Sequence, residues 1–382
     1  MVGTLTGSEP HIVLAGGGHA HAVALRLLSR DKSALPAQIT VVSPTTHNLY
    51  SGALPGVIAG HWPVDAIRVN LPALCEAAGV TFAEDAVADI DADGGIVQLA
   101  TGRSMPFDVL SLDIGSLIRP LNVSDPGSLI VPIRPIPGFL ERWISAVEDM
   151  QSGSAPASVM VVGAGLAGVE VCLAVQHRVQ AALKTPAKVF LVDTSDEIAA
   201  TSHPALRRKL GRALQRVGVT CISGTRLEAC EDGKAILSNG QSVDVSLIVN
   251  CAGSAPHAWV GRTSLKTVGG RVEVDECLRS TSHPHIWAAG DASYYKAHPL
   301  EPAGVFAVRA GPVIAENIRH FTRDEPLSPF RPQSDYLKLV SLGGQRAIAE
   351  KFGLTFEGKW IWNLKKSIDF SFLRTHDVAT RH

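Results

Sequence analysis

Two stretches of the chain repeat one hydrophobic pattern: a short, wholly apolar run, a glycine-rich turn, then a longer apolar segment with helical spacing. The first is Ile12-Val13-Leu14-Ala15 with Gly16-Gly17-Gly18 and residues 20–28; the second is Val159-Met160-Val161-Val162 with Gly163-Ala164-Gly165 and a segment reaching Val175. A run of four or five apolar residues that stops at glycine reads as a strand buried on both faces, and the longer segment after the glycines reads as a helix laid over the sheet. Further apolar runs at 39–42 and 189–192 complete two βαβ units, so the sheets are expected to be parallel.

Between these units the pattern changes. Short alternating segments from 80 to 112, broken at Asp93-Gly94-Gly95 and Thr101-Gly102, predict an antiparallel excursion before residues 109–113 re-enter the first sheet. Pro120, Pro126, Pro132, Pro135 and Pro137 then mark a passage between domains. A helix is expected over 139–150, and a strand pair at 235–237 and 247–250 ahead of Cys251-Ala252-Gly253. The apolar-then-glycine pattern returns far downstream as Ile286-Trp287-Ala288-Ala289-Gly290-Asp291, which implies that the first domain is interrupted by the second and then resumed. The resulting division is 8–117, 118–274, 275–330 and a tail, 331–382, with a helix over 307–320 closing the core. The fold class expected is α/β, two nested Rossmann-like domains with a C-terminal α+β tail.

Composition narrows the function. With 382 residues, 46% hydrophobic and 19% charged, the chain can bury more than one core, and a net charge of -1 gives no basis for binding nucleic acid. The six cysteines (75, 172, 221, 230, 251, 277) form no close pair, which excludes a zinc ribbon or a Cys-x-x-Cys centre and suggests small buried hydrophobes. His19 with His21, and His283 with His285, lack a comparable third ligand nearby, so no metal is expected. Residues 1–10 lack a signal-peptide pattern, making the cytoplasm the default location, and the apolar stretch 159–175 is interrupted by three glycines and Glu170, unlike a membrane span.

A glycine-rich turn between strand and helix lets the backbone approach a pyrophosphate, whose charge meets free N–H groups and the positive end of the helix. The second unit supplies Gly163, Gly165 and Gly168 in all three positions, and Asp193 follows its second strand, where a carboxylate bonds ribose hydroxyls and repels a 2′-phosphate; NADH is therefore favoured over NADPH. The first unit is less regular. His21 stands at the third glycine position, and Ser43 where an acidic ribose ligand is expected. Gly290-Asp291 supports it, since an aspartate after an apolar strand can bind the ribityl chain of a flavin.

In combination these motifs resemble the two-dinucleotide-binding-domain flavoproteins of the pyridine nucleotide-disulfide oxidoreductase superfamily, a glutathione-reductase-like group that includes type II NADH dehydrogenases and sulfide:quinone oxidoreductases. Asn48 to Gly56, together with Gly17-Gly18-His19-Ala20-His21, looks closest to the flavoprotein domain found fused to selenide, water dikinase, although no kinase follows here. The resemblance implies that Gly16, Gly18, Gly290 and Asp291 hold FAD, with Pro55 against the flavin, and that Gly163, Gly165, Gly168 and Asp193 hold NADH. His19, Ser43, Gly115 and Gly253 belong with the cofactor-binding positions, at the turns that close each unit. Glu170 falls where type II NADH dehydrogenases carry a glutamate near the nicotinamide; alternatively it complements its helix's positive end.

The quinone-side Ala-Gln-x-Ala-x-Gln pattern of those dehydrogenases is replaced by Gly304-Val305-Phe306-Ala307-Val308-Arg309. Arg309 can stabilise a negatively charged reduced flavin, or simply pair with a surface acid. The expected activity is FAD-dependent transfer of electrons from NADH to an acceptor, with a quinone the leading candidate. One alternative is an accessory or redox-sensing flavoprotein linked to selenium metabolism, with little turnover. Another, a sulfide:quinone oxidoreductase-like enzyme, is disfavoured because no cysteine follows Cys277. In the tail, Trp360, Leu364, Ile368 and Phe372 recur every four residues beside Lys359, Lys365, Lys366 and Arg374. Residues 359–374 thus predict an interfacial helix on an anionic bilayer at the inner face of the membrane, a helix packed over the flavin domain, or a homodimer interface.

Overall fold

The computed structural model describes residues 9–30, 35–124, 129–183 and 186–378. Pro126 and the first eight residues lie outside the described set. Two five-stranded sheets carry the molecule. In the first, the order is Ile286–Ala288, Val109–Leu112, His11–Ala15, Gln38–Ser43, Thr81–Glu84, all parallel. In the second it is Ile130–Pro132, Leu247–Asn250, Ser158–Val162, Lys188–Val192, Thr220–Ile222, again all parallel. The fingerprint strand is central in both, and the apolar residues of both central strands are buried, which is why each reads as a continuous apolar run. Because Ile286–Ala288 joins the first sheet only after the second is complete, one Rossmann-like unit is inserted in the other.

Two strand expectations need correction. Thr81–Glu84 belongs to the first parallel sheet; the antiparallel excursion is the three-stranded sheet of Val87–Asp91, Ile96–Leu99 and Ser104–Pro106. Nor do residues 235–237 and 247–250 pair with each other. Lys234–Leu237 lies between Leu227–Glu231 and Ser242–Asp244, whereas Leu247–Asn250 lies in the parallel sheet. The physical reason is burial: all four residues of Leu247–Asn250 are covered, while Lys234 is exposed on a strand that has one solvated face.

The helix predicted over 139–150 spans Ile136–Ser152 and stops at Gly153, whose φ of 81° closes a left-handed cap. Three cysteines (75, 172, 230) are buried and two (251, 277) half-buried, but Cys221 is exposed because it sits on the edge strand Thr220–Ile222. The tail consists of an antiparallel sheet, Lys338–Ser341, Ala347–Lys351 and Leu354–Gly358, and the C-terminal helix Lys359–His376. It is not detached: the helix buries Ile361, Trp362, Lys365, Asp369, Leu373 and His376 against the body. Among the described residues no helix is long and apolar enough to cross a membrane.

The first fingerprint helix, His19–Leu28, crosses the helix Gly304–Thr322 at Gly311, where an added Cβ would stand 2.5 Å from Val23 Cβ and 2.8 Å from the Ala20 carbonyl oxygen. Gly311→Ala is therefore expected to lower stability by about 1–3 kcal/mol despite alanine's better helix propensity. Chemical denaturation checks this; an unchanged or raised midpoint contradicts so close a crossing.

Candidate functional site

At the first turn Gly16 has φ +94°, and a Cβ there would run into the Asp113 carbonyl; at the second, Gly163 has φ +102°, and its Cβ would stand 2.7 Å from Ala252 N. A Cβ at Gly168 would collide with the Gly163 carbonyl oxygen, so the third glycine lets the helix Leu166–Ala182 close on its own turn. Both fingerprint helices start from a glycine (Gly18, Gly165) with no side-chain cap, leaving N–H groups for an anion. These cradles, which side chains would fill, fit the pyrophosphates of two dinucleotides.

His21 resolves the irregularity of the first turn. It is fully buried, with Nδ1 2.6 Å from the Gly16 carbonyl oxygen and Nε2 2.8 Å from Ser111 Oγ, and so ties the turn to the neighbouring strand. Burial lowers its pKa, which keeps the ring neutral. Its backbone N–H donates to Asp113 Oδ2 at 3.0 Å, so the helix's positive end already faces one buried carboxylate. Asn48 Nδ2 donates to the Gly17 carbonyl at 2.5 Å and joins the segment carrying Pro55 to the turn.

The other cofactor positions sit around these turns. Asp291, next to Gly290 (φ +58°), accepts from Ser116 Oγ at 2.7 Å and from Arg134 Nη1 at 2.9 Å. Gly115 and Gly253 take positive φ in the loops after strands Val109–Leu112 and Leu247–Asn250. Ser43 is buried behind Gly17 and donates to the Thr45 carbonyl at 3.0 Å. Asp193 follows the strand Lys188–Val192, and its carboxylate accepts from the N–H groups of Ala164 and Ser195. His19 is next to Tyr50 and Phe372, ring centroids 5.4 and 6.0 Å away, and burial lowers its pKa.

Pro55 is the second residue of the short helix Leu54–Ile58, and the elements around it converge on a charged cluster. Glu170 Oε1 accepts from Ser341 N at 2.7 Å and lies 4.0 Å from Lys365 Nζ. Lys365 Nζ donates to Asp369 Oδ2 at 3.0 Å and to the Gly52 carbonyl at 2.6 Å. Burial pushes the Glu170 and Asp369 carboxyls above the usual carboxylate range, with Lys365 pulling against it. Burial opposes the Lys365 charge, but Glu170 and Asp369 outweigh it and raise that pKa. Tyr50 stacks on Phe372, centroids 4.4 Å apart, and burial, then Asp369, raises its phenol. Glu170 is thus engaged by the tail rather than by its helix terminus.

Lys365 and the apolar stripe need correcting together. Lys365, grouped by sequence with lipid-facing cations, is 9% exposed, whereas Trp360, Leu364 and Ile368 are 58%, 39% and 43% exposed; Phe372 alone of the stripe turns inward. The helix presents its charged pair to Glu170 and its apolar stripe to the outside. Arg309 is exposed on the helix Gly304–Thr322, lines a cleft with Phe372 and His376, and forms no ion pair among the described residues. Sequence reasoning missed Arg134, Asp113, Tyr50 and Asp369. The Lys365/Asp369 spacing of four, beside the stripe, was the available signal.

Residues 10–310 match the family described as pyridine nucleotide-disulphide oxidoreductase. The chain belongs to that family. Family membership implies a flavin and a nicotinamide nucleotide. An NADH dehydrogenase-like protein of Mycobacterium tuberculosis is 28% identical over 301 residues, covering 75% of this chain and 74% of the relative. The type II NADH:quinone oxidoreductase of Staphylococcus saprophyticus is 20% identical, with 94% of each covered. Among solved structures, the sulfide:quinone oxidoreductase of Aquifex aeolicus aligns with TM-score 0.79 at 18% identity over 96% of this chain and 91% of that one. Plasmodium falciparum NDH2, solved with NADH, aligns with TM-score 0.76 at 11% identity over 96% and 98%.

Lys365→Met strands the two carboxylates. Lys365 lowers both, so its loss pushes pKa values already above the unfolded range still higher, and a carboxyl raised by folding favours the native state when protonated and disfavours it as pH rises. The variant is expected to lose about 3–5 kcal/mol at pH 8, with the deficit shrinking toward pH 5. Urea unfolding at the two pH values checks it, and an equal deficit at both would contradict the pairing.

Proposed function

We propose that this member of the family is an FAD-dependent oxidoreductase that takes electrons from NADH and delivers them to a quinone. The observation that carries this reading is the Lys365 bridge: its ammonium joins Glu170, on the helix of the second fingerprint, to Gly52, in the loop of the first unit that leads into Pro55. The helix that leaves the second cradle and the Pro55 loop of the first unit therefore meet at one charged cluster. Bound there, the flavin would supply two-electron transfer between a hydride donor and the acceptor.

The chain's residues bind and orient. The glycine turns and the N–H groups still free at the two helix ends receive the pyrophosphates, and Asp291, paired with Arg134, receives the ribityl hydroxyls. Arg134 pairs with Asp291 and, at His19, acts against the charges of Asp113 and Asp291. Asp193 meets the adenosine ribose and disfavours a 2′-phosphate, the basis for NADH over NADPH. Glu170, held by Ser341 and Lys365, lines the nicotinamide side, while Lys365 and Asp369 hold a proton between them beside the Pro55 loop. Arg309 supplies positive charge from the neighbouring cleft.

A quinone acceptor also suits the outer surface. Phe352, Leu354 and Phe356 are 71%, 67% and 54% exposed, and the Phe356 ring lies 6.1 Å from that of Trp360, so hairpin and helix present one apolar face flanked by Lys351, Lys359, Lys366 and Arg374. A patch of this kind marks an interaction site. Two copies meeting through it would bring their basic rims together, whereas an anionic bilayer complements both the apolar centre and the rim.

Two experiments test the reading. Purified protein is expected to be yellow, to bleach on anaerobic NADH addition and to recover its colour with a soluble quinone; Asp291→Ala is expected to emerge largely without flavin. A protein that takes up no flavin, or that bleaches but is reoxidised by no quinone, defeats the proposal. Vesicles containing phosphatidylglycerol are expected to co-sediment the wild type, and the Trp360→Asp/Leu364→Asp variant is expected to bind about tenfold or more weakly. Equal partitioning, or a concentration-dependent dimer abolished by the same changes, would assign the face to a second copy.

A further inference from the structure

A second site lies away from the nucleotide cradles, where the helices Leu166–Ala182 and Pro204–Arg216 meet the 342–346 turn of the tail. A cleft of about 200 Å³ opens there, lined by Gln176, His177, Gln180, Arg216, Gln345 and Arg346 among others, with no carboxylate among its lining residues. Gln176 is 5% exposed, and its Oε1 is buried with no hydrogen-bond partner among the described residues. An orphaned buried acceptor costs about 1–3 kcal/mol unless something donates to it.

The charge at the mouth is also unbalanced. Arg216 and Arg346 share the single carboxylate of Glu357, at 3.4 and 3.0 Å, which leaves a surplus positive charge. The wall facing them is fixed in place. A Cβ at Gly343 would collide with the Leu173 carbonyl, and the Gly343 carbonyl lies 2.7 Å from His61 Nε2, so the turn sits directly on the helix. A Cβ at Gly344 would stand 3.8 Å from the His177 ring, in ordinary contact with it.

We propose that this cleft binds hydrogen phosphate, its charged oxygens meeting Arg216 and Arg346 and its hydroxyl donating to Gln176 Oε1 once the Gln176 amide turns out of the wall into the cleft. The ligand must be both anion and donor, which hydrogen phosphate is at neutral pH and sulfate is not. Bound there, it fastens the tail turn to the helix that carries Glu170, one residue beyond the Ser341 N–H that bonds Glu170. The site stands independently of the flavin reading.

The test is thermal unfolding of the full chain at pH 7 with phosphate or sulfate at matched ionic strength. Phosphate is expected to raise Tm by about 2–4 °C beyond sulfate, as a ligand well above its Kd does for a chain of this size. Gln176→Met, which removes the orphaned amide, is expected to raise Tm without any anion and to abolish the difference between phosphate and sulfate. Arg346→Gln is expected to abolish most of that difference, and it decides the matter should the Gln176 variant fail to fold. Equal shifts with the two anions, no shift with phosphate, or a phosphate-specific shift that survives in the variants would overturn the proposal.

Discussion

The arrangement of this protein depends on burying one ammonium group between two carboxylates. Lys365, Asp369 and Glu170 come from the C-terminal helix and the second fingerprint helix, and the backbone carbonyl of Gly52 completes the set from the first unit. Withdrawing Lys365 would leave two carboxylates out of water without a counter-ion, so the ammonium holds tail, nucleotide units and the Pro55 loop in one geometry. The helix face that brings Lys365 and Asp369 inward also buries Ile361, Trp362 and Leu373, and with that face against the body Trp360, Leu364 and Ile368 are left outside.

A second electrostatic balance operates at the first turn. The regular fingerprint places a bare helix terminus opposite an anion, but here Asp113 already occupies part of that field through the His21 N–H. Arg134, from within the proline-rich passage, pairs with Asp291, so a cofactor there would be held jointly by residues of both units. His21, which looks like a defect when only glycine positions are counted, exchanges the close approach of a third glycine for two side-chain bonds that fix the turn.

Local pattern made much of the fold legible. Strands buried on both faces announce themselves as unbroken apolar runs, and positive-φ turns as glycines, so the two βαβ units and the late Gly290-Asp291 return could be located by reading alone. Pairing was less legible: residues 235–237 and 247–250 look alike as short apolar runs, yet one runs antiparallel in a small sheet and the other parallel inside a larger one. Their difference lies in what covers each face, which no window of sequence contains.

The same division applies to the site. The sequence alone determined the glycine cradles, the acidic residues after the strands, the position of Glu170 on its helix and the stripe of the C-terminal helix, because each is a relation among residues a few positions apart. Only the tertiary structure decided that Lys365 is a buried partner and not a surface cation, that Arg134 reaches Asp291 across 157 positions, that Asp113 faces the first helix, and that the stripe points away from the core. Those outcomes turn on long-range pairing of charges in a water-poor interior and on which of a helix's apolar positions the body covers, and no local window of sequence contains either relation.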